Sequence, residues 1–191
     1  MKEVVRIATV ADEPEIQLLL GQMHSEGGIM PLDMQEASAM FHRAFNRQGG
    51  ILGVIGEPGD IKAMIYLLIS KFWYTRNFHL EELFNFVRVD CRKSKEAYAQ
   101  RLIDFAKQCS DQIGLPLTIG VLTNIRMEGK VRLYQRELGV PAGAWFVHMP
   151  PGRGWVNEEP NAQFWKDPFP RRNRVSSGKD LRALKMMGGR G

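Results

Sequence analysis

Apolar positions along the chain recur at two spacings, and the switch from one to the other outlines the elements. Residues 4–10 (VVRIATV) are β-branched and read as a short strand. Asp12 then stands where a helix N-cap belongs. Pro14 lies in the first turn, Glu15 completes a capping-box spacing, and Ile16, Leu19, Leu20 and Met23 share one helical face. Asp33 and Glu36 repeat that start signal ahead of Ala37, Phe41, Ala44 and Phe45, and Gly49-Gly50 stops the second helix. Two apolar runs, residues 51–55 and 61–69, flank the turn tetrapeptide Glu57-Pro58-Gly59-Asp60, which predicts an antiparallel hairpin.

In the second half, residues 80–89 are apolar enough for a central strand. They lead into a long helix whose buried stripe is Tyr98, Leu102, Phe105, Cys109 and Ile113, ended by Gly114-Leu115-Pro116. A strand over 117–122, a helix over 127–138 carrying Val131, Tyr134 and Leu138, and a last strand near 142–148 complete the pattern. The order is βααβββαβαβ. A strand, a helix and a return strand of this length close as a right-handed βαβ unit, so the later strands are expected to run parallel around the long helix.

With 191 residues, 44% of them apolar and 25% charged, and a mean hydropathy of −0.26, the chain has the composition of a soluble globular protein with one full core. No apolar run approaches the roughly 20 residues that span a bilayer, and residues 1–6 alternate charge with apolar character, so the expected address is cytoplasmic with no membrane partner. Cys91 and Cys109 stand apart, without a CxxC spacing or a histidine cluster, so neither a disulfide scaffold nor a bound metal is expected. The net charge of +5 is unevenly placed. Residues 150–191 hold nine Lys/Arg against four acids, which leaves seventeen of each sign for residues 1–149. The basic stretch also carries Pro150, Pro151, Pro160, Pro168 and Pro170, interleaves Phe164, Trp165 and Phe169 with charge, and ends in Met-Met-Gly-Gly-Arg-Gly. The expected organisation is a folded domain over 1–149 and a basic, mostly extended arm over 150–191. The arm has one short helical pattern at 176–187, and its charge suits weak contact with nucleic acid or an acidic protein surface.

The element order and two sequence segments resemble the GNAT superfamily of acyl-coenzyme A dependent N-acyltransferases. The first segment is Val87-Arg88-Val89-Asp90-Cys91-Arg92-Lys93-Ser94-Lys95-Glu96-Ala97, set against the family's R/Q-x-x-G-x-G/A between a strand and a long helix. Arg92 and Ala97 match, and Lys95 replaces the first glycine. The second is Thr123-Asn124 followed by Leu133-Tyr134 and Gly139, set against an asparagine and then L-Y-x-x-x-G-F, with one extra residue before the glycine and Val140 in place of the aromatic. The segment from Trp73 through Leu80-Glu81-Glu82-Leu83-Phe84-Asn85-Phe86-Val87 is similar to a phage-encoded branch of the superfamily. The resemblance covers residues 4–148. It implies a mixed α/β (α+β) domain: a mostly antiparallel central sheet with a parallel fourth and fifth strand, flanked by helices.

The resemblance further implies acetyl-CoA as co-substrate and a primary amine, on a small molecule or a protein, as acceptor. Cofactor contacts would fall on Phe86, Val87, Val89, Arg92, Lys93, Ser94, Lys95, Glu96, Ala97, Asn124 and Lys130. Unpaired N–H groups and the positive end of a helix suit a pyrophosphate, and the three cations add charge there. Asn124 equally suits a cap on the next helix. An amine nucleophile must lose its proton before attack, and Glu81 or Glu82 would accept it; the two lie on opposite faces of one strand and stand at even odds. Tyr134 would protonate the leaving thiolate, and a backbone N–H of that strand would hold the oxyanion. Phe72-Trp73-Tyr74 would line a substrate pocket or close the core at a strand end. His24, His42, His79 and His148 have no recurrent partner spacing and read as structural. The substituted glycine and the arm also support a non-catalytic reading: a GNAT-like interaction protein that binds an assembly or nucleic acid through the arm. Edge-strand pairing or arm exchange would give a homodimer.

Overall fold

The computed structural model describes residues 3–123, 125–143 and 146–148. Five strands form one sheet in sequence order: β1 (Val5–Ile7), β2 (Gly50–Ile55), β3 (Ala63–Lys71), β4 (Phe78–Val87) and β5 (Leu117–Thr118). The first four pair antiparallel, and β4 and β5 pair parallel. Four helices complete the domain: α1 (Glu13–Gly27), α2 (Met34–Phe45), α3 (Tyr98–Ile113) and α4 (Met127–Leu138). The architecture is the mixed, helix-flanked sheet expected from the sequence, with the parallel pair around α3.

Each face of the sheet buries its own core. Leu52, Val54, Met64, Tyr66 and Phe86 meet Ile16, Leu19, Leu20, Phe41 and Ala44 of α1 and α2. Ile55, Ala63, Ile65, Leu67 and Leu80 meet Tyr98, Leu102, Ala106 and Cys109 of α3. A side chain of this size, fully buried, stabilises the fold by roughly 1.5–3 kcal/mol, so the two stripes read from periodicity carry the domain. The β2–β3 turn needs Gly56 for a local reason. Its φ is +113°, and a Cβ there would stand 2.2 Å from the Asp60 carbonyl oxygen.

Three expectations are corrected. Asp33 caps α2 as predicted, its carboxylate accepting from the N–H groups of Gln35 (2.9 Å) and Glu36 (3.2 Å). Asp12 does not cap α1 with its side chain. Its fully buried carboxylate accepts instead from both guanidinium NH groups of Arg6 (2.8 and 2.7 Å) and from the Thr9 N–H (2.8 Å), because a charged fork outcompetes a helix N–H. The fifth strand was expected over 117–122 and ends at Thr118. The last strand, expected near 142–148, is absent among the described residues, where Pro141 and Gly143 weaken any ladder. The arm over 150–191, its helical pattern at 176–187 and Asn124 lie outside the described residues.

Burial raises the Asp12 pKa, but hydrogen bonds from Arg6 and Thr9 outweigh it and hold the carboxyl below the usual range. A depressed folded pKa gives stability that is present above the unfolded value, about 3.9, and is lost as pH falls through the folded one. Asp12→Ala is therefore expected to cost about 2 kcal/mol at neutral pH, from loss of the charge-assisted hydrogen bonds of a half-buried Arg6 and of Thr9. In urea denaturation the gap between variant and wild type should narrow as pH drops below about 4.

Candidate active site

β4 carries the site because its pairing is interrupted on both edges. Toward β3, Tyr66 faces Phe84 while Leu67 faces Glu82, so Leu83 is an extra residue that forms a β-bulge. Cross-strand partners share a face, which puts Glu82 (opposite Leu67) and Asn85 (opposite Ile65) on the α3 side. Phe84 and Phe86 stay in the α1/α2 core. Toward β5, pairing covers only Leu80 with Leu117 and Glu81 with Thr118. Past that point no further β4–β5 pairing occurs among the described residues, and the Gly120 N–H is close enough to the Glu82 carboxylate to pull its pKa down.

The remaining outer edge of β4 is open to other partners. In an antiparallel ladder every second residue turns its N–H and C=O away from its neighbour strand. Asn85 and Val87 do so here, and their carbonyls accept from Lys130 Nζ (3.1 Å) and Arg92 Nε (2.9 Å). The side-chain nitrogen of Asn85, which is 3% exposed, has no hydrogen-bond partner among the described residues.

α4 covers this edge. Lys130 and Tyr134, four residues apart, project from one side of the helix, Lys130 onto Asn85 and buried Tyr134 onto Glu82. The Tyr134 hydroxyl is 3.5 Å from Glu82 Oε1, long for an O–H···O hydrogen bond and aimed to donate. Desolvation pushes the Glu82 carboxyl up to about 7, against the opposing pull of the Lys130 charge, the Gly120 N–H and the Tyr134 hydroxyl. Burial, and then the Glu82 charge, raise the Tyr134 phenol, so it stays protonated. Burial lowers the Lys130 ammonium, with Glu82 and Glu26 pulling it back up and Arg92 pushing it further down. The set contains a carboxyl that ionises near neutrality, a phenol that holds its proton and a desolvated amine.

The loop after β4 ends at the N-terminus of α3. Ala97 takes a left-handed conformation (φ 51°, ψ 41°), and no side chain caps the helix, so its first N–H groups face outward beside exposed Lys93, Ser94 and Lys95. Arg92 is held differently from the expectation. Its fork pairs with both oxygens of Glu26 at the end of α1 (2.7 and 2.8 Å) and lies over the Phe86 ring at 4.8 Å. Arg92 thus ties α1, β4 and the loop together, which leaves Lys93 and Lys95 as the loop's outward cations. Glu96 pairs with Arg101 (2.6 Å), Phe86 is buried in the α1/α2 core, Val87 is half-buried, and Val89 is 52% exposed in a 3-10 turn. Glu81, opposite Leu68, points to the other face from Tyr134.

Phe72 stacks between His79 (4.1 Å) and Tyr74 (5.5 Å), while Trp73 is 96% exposed. These rings close the tip of the β3–β4 turn. Glu26, Asn85 and Gly120 escaped sequence reasoning. The adjacent apolar pair Leu83-Phe84, which breaks the strand's alternation, is the one signal that marked the bulge.

No family model and no curated protein matches the sequence. Solved structures do match the fold. A predicted acetyltransferase from Clostridium acetobutylicum, solved with acetyl-CoA, has 13% identity and a TM-score of 0.60 over 76% of this chain and 94% of its own. A Trypanosoma brucei acetyltransferase has 19% identity and a TM-score of 0.56 over 76% and 97%. A GNAT family acetyltransferase from Staphylococcus aureus has 14% identity and a TM-score of 0.54 over 78% and 100%. The chain has the GNAT fold. No helix among the described residues is long and apolar enough to cross a membrane.

A carboxyl whose folded pKa is raised favours the protein below the unfolded value of about 4.5, an advantage lost as pH rises through about 7. Glu82→Gln removes that loss. Its melting temperature should gain on the wild type as pH goes from about 5 to about 8, by the equivalent of on the order of 2 kcal/mol. A constant offset would contradict the desolvated carboxyl.

Proposed function

We propose that this protein is an acetyl-CoA dependent N-acyltransferase that transfers the acyl group directly to a primary amine. The observation that carries the reading is Glu82, a carboxyl with its pKa near 7, beneath the protonated Tyr134 hydroxyl at the open edge of β4. The residues suit an extended molecule of amides and phosphates. The edge offers outward backbone groups at Asn85 and Val87, the buried Asn85 amide nitrogen lacks a partner, and the uncapped start of α3 with Lys93 and Lys95 suits a pyrophosphate. The small Ala97 side chain keeps backbone approach open where the family pattern has glycine or alanine. Lys95 stands where that pattern has glycine, and its exposed side chain adds charge without filling the edge.

Bound acyl-CoA supplies an activated thioester carbonyl. Glu82 takes a proton from the attacking amine, and Tyr134 gives its proton to the departing sulfur. The Tyr134–Glu82 contact then returns a proton to the phenol, so both groups end as they began. The bulge at Leu83 interrupts the ladder beside Glu82, and a backbone N–H of this strand would hold the oxyanion. Glu81, on the opposite face, is left out of the proton path.

Calorimetric titration with acetyl-CoA tests the reading. Binding is expected to weaken at least about tenfold in Lys93→Glu/Lys95→Glu, because two cations beside a pyrophosphate are reversed. Coenzyme A release in the presence of amines should rise with pH through about 7 and fall on the order of a hundredfold in Glu82→Gln and in Tyr134→Phe. Absence of binding at millimolar acetyl-CoA would sink the reading.

A further inference from the structure

Lys130 has no role in the proton path above, yet it lies inside the site. On α4 it is four residues before Tyr134, and on β4 its partner Asn85 is three residues past Glu82 on the same face. Its Nζ is 3.1 Å from an outward carbonyl of the edge assigned to the acyl donor, on a neutral acceptor and not on a carboxylate. The other lysines among the described residues differ. Lys62 and Lys107 pair with acids, Lys71 lies over the Phe78 ring, and Lys93 and Lys95 are exposed.

We propose that Lys130 is an acyl acceptor within the same molecule, so that the protein modifies its own Nζ; this rests on the acyltransferase reading above. The neutral amine attacks the thioester carbonyl carbon, the C–N bond forms, and the C–S bond breaks. The Nζ proton passes to Glu82, the Tyr134 proton goes to the leaving thiolate, and the Tyr134–Glu82 contact restores the phenol. The products are Nε-acyl-Lys130 and the free thiol, with no other reactant consumed.

The surroundings favour the amine form. Lys130 faces Glu82 from β4, Glu26 from α1 and Arg92 from the loop, and burial is the largest influence on it, lowering the pKa of the ammonium. A desolvated lysine beside a base is a competent nucleophile at neutral pH. Its four-carbon stem lets Nζ leave the Asn85 carbonyl and swing toward Glu82. The protonated form of Lys130 favours ionised Glu82; acylation abolishes that form, so the Glu82 pKa rises further and a smaller share of the carboxyl is ionised near neutrality.

The test is incubation of the full chain with acetyl-CoA, followed by intact-mass measurement and peptide fragmentation, with calorimetric binding measured on the same samples. The expected result is one acetyl increment, mapped to Lys130, suppressed by excess coenzyme A and lost in Lys130→Arg. Glu82→Gln should slow it at least about tenfold while the protein still melts cooperatively. A second readout uses no cofactor. Trace labelling with acetic anhydride across pH should place the reactivity midpoint of Lys130 below about 10.4, the value of a free lysine side chain. Binding without an increment on Lys130, an increment that survives Lys130→Arg, or a midpoint at about 10.4 overturns the proposal and leaves the acyltransferase reading standing. Absence of binding overturns both.

Discussion

The bulge at Leu83 is the constraint on which the site depends. In a regular strand Glu82, Phe84 and Phe86 would share one face, because side chains alternate with period two. Phe84 and Phe86 belong to the α1/α2 core, so Glu82 would join them there, a carboxylate among aromatic and aliphatic side chains. One extra residue resets the alternation. It sends Glu82 and Asn85 together to the α3 side, where α4 can reach both, and leaves the two phenylalanines in their core. The parting of β4 from β5 follows on the other edge. The outward carbonyls of Asn85 and Val87 are left to Lys130 and Arg92.

The charges gathered there are balanced, two carboxyls against two cations, but they are not equivalent. Arg92 and Glu26 make a two-point pair that fixes α1 to the loop, a planar fork matched to both carboxylate oxygens. Glu82 and Lys130 interact without such a fork. Desolvation therefore governs them, drawing both pKa values toward neutrality from opposite directions. One pair is structural and the other can exchange protons, and the difference lies in hydrogen-bond geometry, since both pairs sit in the same partly dry region.

What was legible in the sequence divides along the same line. The helical stripes of α2 and α3, the hairpin turn and the parallel pair followed from local periodicity and turn chemistry, since each is decided by residues a few positions apart. The site was only half legible. Arg92, Lys93 and Lys95 present the same charge within four residues, and which of them turns inward is decided by Glu26, 66 positions away. Glu81 and Glu82 were indistinguishable until the register with β3 fixed their faces. β5 ends at Thr118, where its pairing with β4 stops at Glu81, a limit that no apolar run over 117–122 records.

A fold shared at 13–19% identity leaves the chemistry to the residues of the site. These residues argue for transfer to an amine through a requirement that the fold does not impose. Amine attack on a thioester needs one group that takes a proton near pH 7 and another that still holds one, within reach of each other. Glu82 and Tyr134 meet that requirement across 3.5 Å because a single desolvated region acts on both: it raises the carboxyl to about 7 and raises the phenol further still. The same region acts in the opposite sense on a cation, lowering the ammonium of Lys130. One desolvated region thus draws the Glu82 carboxyl up and the Lys130 ammonium down, so the proposed base and the proposed internal acceptor share one physical cause.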